Sequence, residues 1–244
     1  MESLPFLFFA VALIYSIAGF AGGSSYTALL AASGMPFAQI APASLVCNLA
    51  VSSLGTRHFR RAGHLKWSLV LPFLAASIPM AYIGSRILVG KRAFLLLLGF
   101  SLAAAGLRLF LGRSEAAAEA PPQKKLWALA LPLGAGMGLL SGVVGIGGGI
   151  FLSPLLILMR WATVKEASAA AAVFIFANSL SGFIGKLQSG AVFAPELPWL
   201  LAAAIGGGWI GSRLGSEMLP HAGVRRVLAT LLLYVSFLTV SKAL

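Results

Sequence analysis

Hydrophobic residues fall into eight long runs separated by short polar or basic stretches. The runs cover residues 4–32, 38–56, 67–88, 93–111, 126–159, 167–185, 197–214 and 224–240. A bilayer core about 30 Å thick needs roughly 20 apolar residues for a helical crossing, so each run predicts a membrane-spanning segment. The first and fifth runs are too long for one plain crossing. Both carry glycine clusters, Gly19-Phe20-Ala21-Gly22-Gly23 and Gly145-Ile146-Gly147-Gly148-Gly149. Glycine costs up to about 1 kcal/mol per helical position relative to alanine, so these clusters predict helix breaks at membrane depth. Broken backbone is tolerated there only inside protein or beside a cavity.

Composition strengthens this picture. The chain is 59% hydrophobic and 10% charged, with mean hydropathy +0.94, against about 25% charged residues in a soluble domain. The longest polar stretch, residues 113–125, leaves no room for a soluble catalytic or nucleic-acid-binding domain. The net charge of +12 comes from 18 basic and 6 acidic residues. Its placement between apolar runs is a topology signal rather than a nucleic-acid footprint. The one cysteine, Cys47, permits no intrachain disulfide, and no Cys/His spacing marks a metal site. His58, His64 and His221 are expected in loops. The N-terminus lacks a positive n-region, so the run from Leu4 is expected to be a retained membrane segment.

The chain repeats itself. The two glycine clusters are 126 positions apart. Asn48 to Gly55 resembles Asn178 to Gly185, at an offset of 130, and Ile83-Gly84-Ser85-Arg86 recurs unchanged as Ile210-Gly211-Ser212-Arg213, at 127. Three matches in order predict a duplication: a first repeat over residues 1–112, a cytoplasmic linker over 113–125 and a second repeat over 126–244. The fold class expected is an all-α polytopic membrane protein with two pseudo-symmetric repeats and broken helices. Two topologies remain open. Parallel halves would each cross four times. Inverted halves would each cross an odd number of times, with the stretch after each break dipping in and returning. Inversion is favoured because it gathers Arg213, Arg225 and Arg226 with the other basic residues on the cytoplasmic side.

The glycine clusters also suggest chemistry. A helix N-terminus carries about half a positive charge, and consecutive backbone N–H groups make an anion nest. Gly145, Gly147, Gly148 and Gly149 would present such groups at the start of a short helix. Gly22 and Gly23, with the hydroxyls of Ser24 and Ser25, would supply the facing half of the site, next to Gly19. Asn48 and Asn178 are amides inside apolar runs and must have partners. Substrate contact and an interhelical hydrogen bond both satisfy that, and Ser52 and Ser181 would lie near the same faces. For the glycines the competing reading is close helix packing. Arg86 and Arg213 read as interfacial anchors, with gating or anion attraction as the alternative. Lys186 is a further candidate for attracting anions. The chain has no Asp, and Glu166 alone lies near a re-entrant tip, where it could serve in coupling. No catalytic residue, cofactor or phosphate loop is apparent.

The tract Ser141-Gly142-Val143-Val144-Gly145-Ile146-Gly147-Gly148-Gly149 followed by Pro154, the later Asn178-Ser179-Leu180-Ser181-Gly182 and the early glycine breaks resemble the sulfite/organosulfonate exporter family of TauE/SafE-like permeases. The resemblance covers nearly the whole chain. The first half departs from a fuller glycine pattern at Ala21 and Ser24-Ser25. Membership implies a multi-pass permease of the bacterial inner membrane for small, often sulfur-containing anions such as sulfite, taurine or sulfoacetate. The expected function is secondary transport of such an anion, in the export direction, by alternating movement of the halves. Passive anion conduction, or carriage of a different small anion, is the alternative. The partners expected are that anion and the lipid bilayer, with no nucleic acid; a homo-oligomer is compatible with the sequence.

Overall fold

The computed structural model describes residues 3–87 and 121–241, together with Ala103, Gly106, Leu107 and Phe110. The apolar run over 93–111 and the linker over 113–125 therefore lie largely outside the described residues, as do Lys91, Arg92, Arg108, Arg113 and Lys242. The described chain is helical: α1 (Leu4–Ile17), α2 (Gly23–Ala32), α3 (Phe37–Arg61), α4 (Trp67–Ser85), α5 (Gln123–Val144), α6 (Gly149–Leu158), α7 (Val164–Gln188), α8 (Leu197–Arg213) and α9 (His221–Ser241). A π-helical turn, Leu214–Met218, extends α8. Four helices among the described residues are long and apolar enough to cross a bilayer, namely those over Ala38–Arg61, Trp67–Ser85, Gln123–Val143 and Val164–Gln188. Each of the two overlong runs forms two helices rather than one.

Several boundaries differ from the sequence expectation. Helix α3 runs through Arg57, His58, Arg60 and Arg61, so His58 sits in its last turn rather than in a loop. Cationic side chains there face the helix C-terminus, where the backbone dipole favours them. His221 likewise opens α9, leaving His64 alone of the three in a connection. Helix α5 begins at Gln123, behind Pro122, inside the stretch expected as linker.

Outward-facing side chains are apolar. Phe6 is 79% exposed and Trp199 73% exposed, an arrangement that fits hydrocarbon and not water. The interior is held by close backbone approach. In α5, Gly134, Gly138 and Gly142 lie against the carbonyls of Phe73, Ser77 and Ala81 in α4. In α8 and its π turn, Gly207, Gly211 and Gly215 lie against the carbonyls of Phe9, Leu13 and Ile17 in α1. Both registers advance four residues per step on both helices, so each pair is parallel and packs along a stripe with no side chain between. The helices of both pairs are far apart in sequence: α1 packs on α8, and α4 on α5.

The same contacts set the direction of every helix around the centre. Helices α3 and α7 are antiparallel, with Gly55 beside Ala172 and Gly182 beside Leu45. Helix α2 returns along α3, with Gly23 beside Asn48 and Thr27 beside Ser44. Helix α6 returns along α7, where the Ser153 hydroxyl donates to the Ala167 carbonyl. Thus α1 with α2, and α5 with α6, each enter and turn back toward the end from which they came, in opposite senses.

Candidate substrate site

Each turn-back occurs beside the middle of a long helix. In the second, Gly145 caps α5 at φ 75° and donates its N–H to the Ser141 carbonyl at 2.8 Å; Gly148, at φ 74°, caps the start of α6. An L-residue in this left-handed region costs roughly 1–2 kcal/mol, which is why glycine recurs here. Gly147 packs against Ile175 and Ser179, at the centre of α7. In the first turn-back, Gly23 packs against the Asn48 carboxamide, at the centre of α3. The opening N–H groups of α2 and α6 have no partner within their own helices, and both helix starts are therefore electropositive at mid-bundle.

Buried polar atoms gather around the two turns. Asn48 is fully buried and Asn178 nearly so, and neither carboxamide has a partner at its oxygen or its nitrogen. The hydroxyls of Tyr26, Ser141, Ser168 and Ser179 are also buried and unpartnered. Ser141 lies against Gly148, Ser179 against Gly147, and the Ser168 backbone against Gly19. An unsatisfied buried polar atom costs about 1–3 kcal/mol, so each of these groups calls for a polar partner.

The two turns meet at one narrow cleft. Gly22, Gly23 and Ser24 line it from the first, joined by Tyr15, Phe20 and Ala21; Ile146, Ile150 and Ile175 close the opposite wall. The deepest part has room for about one water molecule. The Tyr15 hydroxyl shares a 2.8 Å hydrogen bond with Ser25. Gly145, Gly147, Gly148 and Gly149 themselves do not line the cleft; they pack against Ala41, Ile175, Phe174 and Ser141 just behind it. The residues missed by sequence reading, Tyr15, Ser141, Ser179 and the three isoleucines, carry no signal that separates them from ordinary core.

The remaining candidates are placed as follows. The Ser52 hydroxyl donates to the Asn48 carbonyl within α3. That of Ser181 donates to the Ile78 carbonyl at 2.6 Å and joins α7 to α4. Arg86 stacks over Tyr82, 4.5 Å from the ring centroid, and donates to Gln188. Arg213 stacks over Trp209 at 5.7 Å and pairs with Glu217 at 3.3 Å. The two arginines lie at opposite ends of the bundle. Lys186 is half-buried near the end of α7, at the Arg86 end. Glu166 accepts from Lys66 at 2.6 Å and from the Thr163 N–H at 2.8 Å, completing a capping box at the start of α7.

The Arg213 end carries a second polar cluster. The Ser212 hydroxyl donates to the Gly208 carbonyl, so it accepts from His58 Nδ1 at 2.7 Å. The widened π turn frees the Ser216 carbonyl, which accepts from Lys165 Nζ and His64 Nε2, each at 3.1 Å. Burial pushes the His64 imidazole below its ordinary value; Lys165 and His221 add to that, while the Ser216 bond and Glu166 act against it. Among the described residues no cluster of His, Cys, Asp and Glu could hold a metal.

A bundle of apolar, lipid-facing helices with two turn-backs meeting at one cleft is the architecture of a multi-pass membrane transporter. The chain belongs to the sulfite exporter TauE/SafE family, whose model matches residues 4–239. It is 35% identical over 233 residues, 94% of either chain, to the probable membrane transporter protein y4hK of Sinorhizobium fredii. Over 83 residues, 34% of this chain and 29% of the relative, it is 36% identical to the probable membrane transporter protein YunE of Bacillus subtilis. No solved structure matches the chain.

Proposed function

We propose that this transporter moves a small sulfur-containing anion, such as sulfite or an organosulfonate, out of the cell across the bacterial inner membrane. The observation that carries the reading is the meeting of two electropositive helix starts at one cleft, with the unpartnered Asn48 carboxamide against Gly23 and the unpartnered Ser141 and Ser179 hydroxyls against Gly148 and Gly147. Such a site stabilises negative charge through fixed dipoles, with no formal cation to trap the ligand. None of the residues lining it is acidic. Opening of the cleft admits the anion to the N–H groups of Gly22 and Gly23, to Ser24 and Ser25, and to the Asn48 carboxamide. Asn178, Ser141 and Ser179, with Gly147 and Gly148, act from the second turn.

The opposed senses of the two turn-backs support inverted repeats, with residues 1–112 and 126–244 as the units. Arg57, Arg60, Arg61, Lys66, Lys124, Lys125, Arg160, Lys165, Arg213, Arg225 and Arg226 fall at the Lys66–Glu166 end of the bundle, and Arg86 and Lys186 at the other. By the positive-inside rule the first of these ends is cytoplasmic. The stripes that join α1 to α8 and α4 to α5 each tie one half to the other. The bodies that move in alternating access are therefore these mixed pairs rather than the halves. Both carboxylate oxygens of Glu166 are engaged, so a proton carried by a weakly acidic substrate is the simpler coupling.

The test is uptake of radiolabelled sulfite into proteoliposomes, with taurine, sulfoacetate, thiosulfate, sulfate and chloride as competitors. Saturable uptake with counterflow, inhibited selectively by sulfur anions and lost in Asn48→Ala, is expected. Conduction that does not saturate would replace the carrier by a channel. No uptake of any sulfur anion would remove the substrate assignment.

A further inference from the structure

The two ends of the bundle are fastened by repeat-related residues. Tyr82 and Trp209 stand four positions before Arg86 and Arg213, and each arginine stacks over its own ring. The central helices α3 and α7 carry His58 and Gln188 in their last turns, at the same 130-residue offset as Asn48 and Asn178. At the Arg86 end, Gln188 Oε1 accepts from both the Tyr82 hydroxyl and the Arg86 guanidinium. At the Arg213 end, His58 Nδ1 donates to the Ser212 hydroxyl at 2.7 Å, and its ring stands edge-on to Trp209, 6.3 Å between centroids. Thus α7 holds the end of α4, and α3 holds the end of α8. The Arg213 end is fastened further at the π turn, where the Ser216 carbonyl accepts from Lys165 and His64. The same turn backs the first turn-back, because Gly215 lies against the Ile17 carbonyl.

We propose that His58 and Gln188 are gating residues, one for each face of the membrane. His58, through Ser212, closes the cytoplasmic side by holding the α1–α8 pair to α3. Gln188 closes the outer side by holding the α4–α5 pair to α7. The proposal rests on the mixed pairs being the bodies that move, and not on which anion is carried. Both fastenings are made in this structure, and the cleft between them has room for about one water molecule, so the molecule is shut at both ends. Each fastening joins a different pair to a different central helix, at a different end. Breaking one therefore biases that end alone toward opening, which a general loosening of the bundle would not do. Packed bodies of this kind shift between discrete arrangements rather than bending continuously. The fastenings are few and polar, and losing one ordinary hydrogen bond changes a population about threefold or more.

The experiment reads access to each end in the full chain. In a Cys47→Ser background, Ser85→Cys reports the outer end and Ser216→Cys the cytoplasmic end; the two positions are 3% and 1% exposed. Neither hydroxyl belongs to a fastening, since Ser85 donates to the Tyr82 carbonyl and Ser216 to the Arg213 carbonyl. The rate of labelling by a membrane-impermeant maleimide is measured on right-side-out vesicles for the first reporter and inside-out vesicles for the second. Gln188→Ala should speed Ser85→Cys labelling about threefold or more and leave Ser216→Cys no faster. His58→Ala should do the reverse, and Ser212→Ala, which removes the acceptor instead, should act as His58→Ala does. Gln188→Glu, which keeps an acceptor for both Tyr82 and Arg86, should hold the outer reporter at or below the unaltered rate. Reporters that label but do not respond to these variants, or that both speed up in one variant, would overturn the gates and leave the moving pairs standing. Reporters that label in no variant would overturn both.

Discussion

Helix α5 contains its own control for the backbone packing that ties the halves together. Gly138 faces α4, where an added Cβ would stand 2.5 Å from Ser77 Cα and closer still to the Ser77 carbonyl oxygen. Gly136, two residues earlier, has nothing within 4 Å. Carbon–carbon contacts settle at about 3.5–4.0 Å, so Gly138→Ala must part the two helices by about 1 Å. Overpacking of that kind costs about 1–3 kcal/mol. Both alanines recover the same helix propensity, up to about 1 kcal/mol each, so the difference between the variants isolates the packing cost. Gly136→Ala should match or exceed the wild type in stability, and Gly138→Ala should fall below it. At roughly 2–4 °C per kcal/mol for a chain of this size, their thermal midpoints should separate by several degrees. The assay is thermal unfolding of the purified protein in detergent, followed by size-exclusion of the surviving fraction. Equal midpoints would refute the close approach of α4 and α5 and, with it, the proposal that they move as one body.

Three further outcomes are expected. Asn48→Leu removes two unpartnered polar atoms, each costing about 1–3 kcal/mol when buried, and should raise the thermal midpoint while abolishing anion uptake; a variant that unfolds would show that Asn48 is a structural partner instead. Gly148→Leu should abolish uptake, because φ 74° is strained for any L-residue and Phe174 and Ser141 crowd the site. Gly148→Asn, which tolerates that φ better, should keep more activity, and equal loss in both would remove backbone geometry as the cause. His64 has its folded value depressed, so its contribution to stability is fully present above the ordinary value near 6.5 and is lost as pH falls through the lower folded value. Thermal midpoints of the wild type should therefore drop on acidification below about pH 6.5, and His64→Gln should drop less; identical profiles would exclude this histidine.

The turn-backs were legible because the left-handed conformation at Gly145 and Gly148 leaves glycine as the affordable residue, and a cluster of them in an apolar run has few other uses. Asn48 and Asn178 stood out for the same kind of reason: an amide is conspicuous among aliphatic neighbours. Less was legible in the choice of walls. Ile146, Ile150 and Ile175 read as core because an isoleucine beside a cleft and one inside a bundle have the same surroundings in sequence. The phase of α7 was also hidden. Ser179 meets the second turn while Ser181 ties to Ile78, and two residues rotate a helix by about 200°. The expectation of loop histidines failed at His58 because a basic, polar stretch after an apolar run was taken as the end of a helix. It is instead the cation-rich last turn that the helix dipole favours.

The mixed pairs bear on how the molecule is made. Helix α1 is synthesised before α8, yet it is α8 that carries the surface receiving the carbonyls of Phe9, Leu13 and Ile17. During synthesis α1 must wait in the bilayer with that face toward lipid or toward a chaperone. Its mate arrives only after the described helices α2 to α7 have been made. A chain stopped short of α8 thus leaves behind an apolar helix with no partner, a recognisable mark for membrane quality control. Closure of the α1–α8 pair therefore ties an early segment of the fold to a late one.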